Sequence, residues 1–396
     1  MVSYLNKISH LSPKTSMFIH DAAIAKGRVK YLWLVACFVL ALCQTAVAQS
    51  SEDKIEVTPF KGVKIFTAEK NELKGNFYGI EAAYHFNMAK NSSPYIKMLN
   101  IRDIDIVATY RNMEDVILNN DPNSKGLLGS AIGIGGRLEI GLLKAGPVRL
   151  LFTPGLGFVY STESYFTNGN PITGSHLNLS AQVGLKVSTA ITPTTAIQTG
   201  MDVYHYSNGA FRLPNNGVNA YNLTLGVVQN INYERAASTP NPAYENYHRH
   251  SVDLGVDVGA RGVFKQDKHF YRTGLYANYS YRLNRAFSLK LGTDAVYYQQ
   301  VLDLNRFDET FQYYGASYDK WRLGLSAGTD IWLGRLVIMA NFGRYLHYNS
   351  YFPTKYYWTA GMKYYVLPWL ALQGKGYVHN TEADYIGIGL AVKINH

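Results

Sequence analysis

The sequence predicts an all-β protein, a transmembrane antiparallel β-barrel of about sixteen strands. Composition, a two-residue hydrophobic alternation and the lengths of the connections support this prediction. The chain of 396 residues contains 32 Tyr and 35 Gly and 17% charged residues, which favours strands and turns over helices. Beyond residue 48 no apolar run reaches the roughly eighteen residues that a membrane-spanning helix needs. A membrane role therefore requires a closed barrel.

The first 48 residues are predicted to be a signal peptide. Arg28 and Lys30 precede an apolar run at 31–43, and a small-x-small cleavage motif follows at 46–48. We therefore expect the protein to be exported. Both cysteines of the chain lie in this leader, which excludes disulfides and a cysteine nucleophile from the mature chain.

Strand segments follow one another along most of the mature chain. In residues 177–188 the odd positions are apolar and the even positions are polar or Gly, and the same split recurs at 252–258, 321–327 and 386–394. The clearest segments run for about ten residues, which is the length that crosses a bilayer at a tilt. A soluble antiparallel sandwich would also alternate, but its strands are shorter.

Short and long connections alternate between these segments, as they do in outer-membrane barrels with the long loops outside the cell. The predicted short turns lie at 144–147, 192–194, 282–285, 333–335 and 367–368, and the predicted long loops lie at 113–127, 161–174, 208–218 and 302–317.

The strands divide into two halves. The segments run from Val57 to Asn395, and a polar connection at 236–249 separates residues 49–235 from residues 250–396. Either the whole sheet closes once, as a barrel of about sixteen strands, or each half closes as its own eight-stranded barrel. We favour the single barrel.

Few catalytic motifs are present. The segment Gly324–Gly328 matches the serine-hydrolase elbow by its letters, but it lies inside an alternating strand with Ser326 on the polar face, whereas the elbow needs a strand-to-helix turn. The chain has no CxxC, HExxH or phosphate-loop pattern. We expect neither a metal nor a cofactor, and no nucleic-acid partner. The formal net charge of +10 falls to +6 without the first 48 residues, which hold five positive charges and one negative. This mild excess suits an anionic lipid surface, although scattered solvated charges explain it equally well.

The segment around His205 is unusual. In the strand at 196–207 the apolar face continues by twos onto His205 and Ser207, which places both on the lipid-facing wall of a barrel with a polar interior. Two residues apart on one face, the imidazole reaches the hydroxyl. Asn219 lies on the same wall at the start of the returning strand, where it can orient the imidazole.

This arrangement predicts nucleophilic acyl transfer. Ser207 would attack an ester carbonyl, His205 would take its proton, and Asn219 would hold the ring. Asn208 and Asn215 are the candidates for binding the oxyanion, and Gly217 would let the loop fold back closely. The alternative is that His205 and Ser207 are ordinary polar residues near a strand end.

The run His205-Tyr-Ser-Asn-Gly209, followed by Pro214-Asn-Asn-Gly217 and a strand, closely resembles the active-site hairpin of the outer-membrane lipid A 3-O-deacylases, also known as acyloxyacyl-hydrolase-like proteins. The resemblance covers roughly residues 57–233. It implies an eight-stranded barrel with a Ser-His-Glu triad on its outer surface, Ser207 as nucleophile and His205 as base. Asn219 stands where the family has its glutamate.

The second half is additional to that resemblance. Its last hairpin carries His379, Glu382 and Asp384 in what reads as a loop, and we predict a structural role for them.

The predicted function is therefore an outer-membrane lipid esterase, a serine carboxylic ester hydrolase that removes an acyl chain from lipid A of lipopolysaccharide. A phospholipase is the alternative enzyme. A catalytically inactive relative acting as a porin or structural barrel is the other alternative, favoured by Asn219 and by charges predicted to face inward (Lys290, Asp294, Arg322 and Asp330). The sequence leaves open whether the protein forms a homodimer.

Overall fold

The computed structural model of the chain describes residues 52–67, 72–234, 236–239, 247–301, 317–350, 353–379 and 382–395. The predicted signal peptide and all but the last residue of the predicted loop at 302–317 lie outside these ranges.

Residues 52–234 form a closed antiparallel barrel that contains eight strands among the described residues. In chain order the elements are β1 (Glu52–Phe66), β2 (Leu73–Lys74), β3 (Tyr78–Asn87), α1 (Pro94–Met98), β4 (Ile101–Asn112), β5 (Ile117–Leu118), a 3-10 turn (Pro122–Ser124), β6 (Ser130–Ala145), β7 (Val148–Ser161), α2 (Tyr165–Asn168), β8 (Leu177–Ala190), β9 (Thr195–Ser207) and β10 (Val218–Glu234). β2 and β5 pair with each other in a loop sheet and take no part in the barrel.

Residues 250–395 form a second closed antiparallel barrel, again of eight strands within the described ranges. Its elements are β11 (His250–Gly262), β12 (His269–Arg282), β13 (Phe287–Tyr298), β14 (Trp321–Leu333), β15 (Leu336–His347), β16 (Tyr356–Tyr365), β17 (Leu370–His379) and β18 (Glu382–Asn395).

The favoured prediction of a single barrel is wrong, and the alternative of two eight-stranded barrels is confirmed. β1 pairs with β10 along most of its length, and β11 pairs with β18, so each half closes on itself. The hydrophobic alternation is the same in either architecture because it depends on which face meets lipid. Closure depends on which strands pair where the sheet meets itself, and the alternation contains no information on that pairing.

The alternation itself is confirmed. Apolar side chains such as Leu177 and Met201 face outward, 64% and 59% exposed, whereas polar side chains such as Gln198 point inward and are buried. The predicted short turns lie between consecutive strands, for example between β6 and β7 and between β14 and β15. Among the described residues no helix has the length and apolar character needed to cross a membrane.

Ion pairs fill both interiors. In the first barrel Arg137 binds Glu56, Glu81 and Asp105, and in the second Lys363 binds Asp253 at 2.5 Å. An interior of eight strands is just wide enough for side chains. The charges at the polar face therefore compensate one another inside each barrel. The four charges predicted to face inward in the second half are buried there, and Lys290 binds Asp330 at 2.6 Å.

Candidate active site

The hairpin β9–β10 carries the predicted residues on its outward face. The register pairs His205 with Asn219 across the hairpin and Ala181 with His205 on the other side. Because side chains alternate along a strand, Ser207 lies on the same face as His205, two residues further toward the loop. The hairpin therefore brings three polar side chains together on a wall that is otherwise apolar.

The three side chains form a hydrogen-bonded chain. Ser207 Oγ lies 3.2 Å from His205 Nε2, and His205 Nδ1 lies 2.9 Å from Asn219 Oδ1. Asn219 Nδ2 donates to the carbonyl oxygen of Phe66 at 3.4 Å, which fixes the amide so that its oxygen faces the ring. An Asn oxygen accepts only from a protonated nitrogen. His205 therefore carries its hydrogen on Nδ1 and presents the Nε2 lone pair to the serine hydroxyl.

Gly217 makes room for the imidazole. Its φ of +65° lies in the left-handed region, which favours glycine. A Cβ at this position would lie 2.8 Å from His205 Cε1, closer than carbon atoms pack. The glycine thus lets the returning loop pass directly beside the ring.

Two of the three asparagines in the loop at 208–217 form hydrogen bonds that order it. The backbone N–H of Asn208 donates to Asn215 Oδ1 at 2.9 Å, and Asn208 Nδ2 donates to the carbonyl oxygen of Arg212 at 2.8 Å. Asn208 is buried, whereas Asn215 lines the cleft beside Ser207. Asn208 therefore holds the loop, and Asn215 lies at the cleft.

This loop is docked on the second barrel. The backbone N–H of Gly262 donates to the carbonyl oxygen of Ala210 at 2.9 Å, and Arg212 forms an ion pair with Asp267 at 2.5 Å. The rings of Phe211 and His269 lie 4.6 Å apart. The end of β11 and the start of β12 thus support the loop that follows the serine.

The cleft beside Ser207 lies between the two barrels. Its volume is about 1640 Å³ when the open mouth is included. One side consists of His205, Ser207 and the 208–217 loop, and the other of residues from β16, β17 and β18, among them Trp358 and Ile386. Sequence reasoning missed this second wall, because an outward apolar residue that lines a cleft has the same pattern as one that faces lipid.

The serine of the 324–328 motif and the polar residues of the last hairpin contact other side chains of the second barrel. Ser326 lies inside the second barrel and donates to Asp294 at 2.6 Å. His379 and Asp384 lie on strands rather than in a loop, contrary to the sequence-based interpretation. His379 bonds Tyr348 at 2.8 Å, and Asp384 forms a buried ion pair with Arg272.

One group among the described residues has metal-ligand chemistry. Side-chain oxygen and nitrogen atoms of Glu56, His85 and Glu139 lie within 4.8 Å of one another inside the first barrel. Arg137 and Lys186 both bind Glu56, so cations of the chain itself already neutralise this carboxylate. The group is part of the interior ion-pair network.

Two family models match the chain, one on each barrel. Residues 117–228 match the model of the lipid A 3-O-deacylase (PagL), and this range includes His205, Ser207 and Asn219. Residues 249–396 match the model of the acyloxyacyl hydrolase C-terminal domain. A search of the curated proteins found no match.

Solved structures of outer-membrane proteins are similar to the chain. The outer membrane enzyme PagL shares 14% sequence identity with a TM-score of 0.31, over 43% of this chain and 97% of that chain. Neisserial surface protein A shares 11% identity with a TM-score of 0.29, over 46% of this chain and 98% of that chain. Omp33 of Acinetobacter baumannii shares 10% identity with a TM-score of 0.16, over 88% of this chain and 100% of that chain.

Proposed function

We propose that this chain, which belongs to the outer-membrane lipid A 3-O-deacylase family, removes an ester-linked acyl chain from lipid A with Ser207 as nucleophile and His205 as base. The observation that carries the proposal is the hydrogen-bonded chain from Ser207 through His205 to Asn219. Nucleophile, base and orienting group in hydrogen-bond reach of one another are the requirements for serine-dependent acyl transfer.

The chemistry has two steps. Ser207 Oγ attacks the ester carbonyl carbon while its proton passes to His205 Nε2, and the imidazolium then protonates the departing alkoxide oxygen. This leaves an acyl group on the serine and a free hydroxyl on the lipid. In the second step His205 deprotonates a water molecule that attacks the acyl carbon. The imidazolium then returns the proton to Ser207 Oγ as the acyl–oxygen bond breaks and the fatty acid leaves.

Asn215 is the proposed donor to the oxyanion. Its Oδ1 accepts from the Asn208 backbone, and its Nδ2 is the group of this side chain that can donate to a substrate oxygen. Such a donor stabilises the negative oxygen that forms in the transition state. In this proposal Asn208 is a positioning residue that keeps Asn215 in place.

The surroundings of the pair select a membrane lipid as substrate. His205 and Ser207 lie on the outward wall, where exposed apolar neighbours such as Met201 and Leu223 meet the hydrocarbon of the bilayer. The pair lies at the end of β9 that joins the long 208–217 loop, which in such barrels faces outside the cell. Lipid A, in that leaflet, can present its ester without leaving the membrane.

A pore is a weaker proposal than an esterase. Inward charges that favoured a porin in the sequence are bound in ion pairs, Lys290 with Asp330 and Asp294 with Lys375. Buried side chains fill the polar interior of both barrels. Ion conduction needs a water-filled path, for which an eight-stranded barrel leaves little space.

The test is mass spectrometry of lipid A from cells that express the wild-type chain, Ser207→Ala or Ser326→Ala. We expect wild type and Ser326→Ala to remove one acyl chain, and Ser207→Ala to lose at least about a thousandfold in rate, as other serine hydrolases do without their nucleophile. Ser326→Ala is the matched control because it makes the same change inside the second barrel.

Unchanged lipid A with folded wild-type protein in the outer membrane would contradict the proposal. Fatty acid released from glycerophospholipids instead, and dependent on Ser207, would identify a phospholipase.

A further inference from the structure

The second barrel borders the reacting atoms directly. Ile386 of β18 packs against the loop that follows the serine: a Cβ added to Gly209 would lie 2.1 Å from Ile386 Cδ1. Trp358, Val378 and Ile386 line the cleft opposite His205 and Ser207. The catalytic face of the first barrel is thus covered on one side by another part of the same chain.

The second barrel lines the cleft with apolar residues and with polar ones such as His379 and Glu382, and exposed apolar residues continue from it along each barrel. In the first barrel, Val203 and Met201 follow His205 on the outward face of β9, 43% and 59% exposed. In the second, Ile388 and Leu390 follow Ile386 on the outward face of β18. Each step of two residues advances about 6.8 Å along a strand. An outward apolar column therefore starts beside the cleft on each barrel.

We infer that the second barrel is half of the substrate site: the acyl chain whose ester Ser207 attacks lies between the barrels, against Trp358, Val378 and Ile386. This inference rests on the proposed function and extends it to the part of the chain that carries no catalytic group. The second barrel then selects the acyl chain, and the first barrel cleaves it.

The occupant follows from the location. Both walls lie on outward faces of membrane barrels, so within the bilayer the space between them holds lipid hydrocarbon. Ser207 at one end of the cleft requires the ester to lie there, and the apolar columns of both walls match a methylene chain. An acyl chain with its ester at Ser207 satisfies both conditions.

Gly376 offers a direct test. It faces outward on β17 and lines the cleft, and a Cβ there would meet its nearest atom, the carbonyl oxygen of Ala360, at 3.5 Å. A leucine therefore fits the fold and projects into the space for the acyl chain. We expect Gly376→Leu to lower the ratio of long-chain to short-chain ester hydrolysis about tenfold, the loss of roughly two buried methylene groups. The probes are p-nitrophenyl palmitate and p-nitrophenyl butyrate in mixed micelles.

Ala327→Leu is the matched control. Ala327 is also exposed on the outward face, but it lies on β14, four strands away from β18 around the barrel. We expect it to keep the wild-type ratio. If Gly376→Leu does not fold, Val378→Trp fills the same space from the neighbouring outward position and should lower the ratio in the same direction. A wild-type ratio in the folded cleft variant would overturn the inference, even with deacylation intact.

A binding measurement separates this inference from the proposed function. Ser207→Ala protein in phospholipid vesicles is mixed with a small fraction of lipid A that carries brominated acyl chains. We expect Trp358, which lines the cleft, to be quenched more strongly than the exposed Trp321 and Trp369, with Trp358→Phe identifying its share of the fluorescence. If Trp358 is quenched but the wild type hydrolyses no lipid A, the acyl-chain site is supported and the proposed esterase function is contradicted. Equal quenching of all three would overturn the inference.

Discussion

The last hairpin of each barrel occupies the same place in the fold, and the two hairpins differ in which way their polar side chains point. In β9–β10 His205 and Ser207 face outward with Asn219 opposite them. In β17–β18 His379 is opposite Glu382, but His379 is buried and contacts Tyr348. One hairpin presents its histidine to the membrane, and the other uses it in a hydrogen bond to a tyrosine.

The difference follows from register and loop length. The ten residues of the loop at 208–217 fold back over the outward face, where Asn215 and Gly217 meet the pair. β18 begins three residues after β17 ends, so its hairpin has no such loop. A side chain turned to the inside of a small barrel is enclosed by other side chains, whereas one turned outward can meet a lipid. The chemistry of a barrel hairpin is therefore decided by the face as much as by the residue types.

The largest expected effects come from removing an interior ion pair, and they test whether the two barrels unfold independently. Arg137→Ala leaves the Glu56, Glu81 and Asp105 carboxylates without this partner, and Lys363→Ala does the same to Asp253. Each change should lower the free energy of unfolding by about 3–5 kcal/mol. All tryptophans beyond residue 48 lie in residues 321–369, so fluorescence reports the second barrel, and circular dichroism reports both.

We expect Lys363→Ala to shift the tryptophan transition in urea and Arg137→Ala to shift the circular dichroism alone. Equal shifts of the tryptophan signal would mean that the two barrels unfold as one unit.

Gly217 sharpens the comparison of the two hairpins because it belongs to the loop that only the first possesses. Gly217→Ala adds a methyl group against the imidazole and should reduce the deacylation rate by about ten- to a hundredfold, since a small displacement of a catalytic group is costly. Gly169→Ala is the control: its φ is +81° with open space around the added atom.

Both substitutions should lower stability by about 1–2 kcal/mol through the left-handed backbone. Rate and unfolding free energy are measured on the same samples. An equal loss of rate in both variants would assign the effect to stability rather than to the histidine.

Substitutions of Asn219 have the smallest expected effect on the rate. They distinguish two roles of this position, holding the imidazole ring and stabilising the charge of the imidazolium. Asn219→Ala removes the acceptor of His205 Nδ1 and should lower kcat by about tenfold. Asn219→Glu supplies a carboxylate that stabilises the imidazolium, so kcat should rise severalfold above the wild type. Steady-state kinetics on lipid A in micelles measures both. A lower rate for Asn219→Glu than for Asn219→Ala would show that the site has no room for the longer side chain.

Much of the candidate site could be predicted from the alternation of side chains between the two faces of a strand. Once β9 is a strand with an apolar outer face, His205 and Ser207 must share that face, and a hairpin of this loop length places Asn219 opposite His205. The hydrogen bonds of Asn208 could not be predicted, because they depend on how the loop folds back. Nor could the closure into two barrels or the cleft, since Ile386 and Trp358 follow the same alternation as residues that face lipid alone.

The positions of the two seams have a consequence for how the chain folds. β1 pairs with β10 and β11 with β18, so each ring is completed by strands of its own half. The first ring can therefore close while the strands of the second are still unpaired, in line with the folding of domains as units. The cleft takes one wall from each ring and exists only after both have closed, so the acyl-chain site proposed there is complete only at the end of folding.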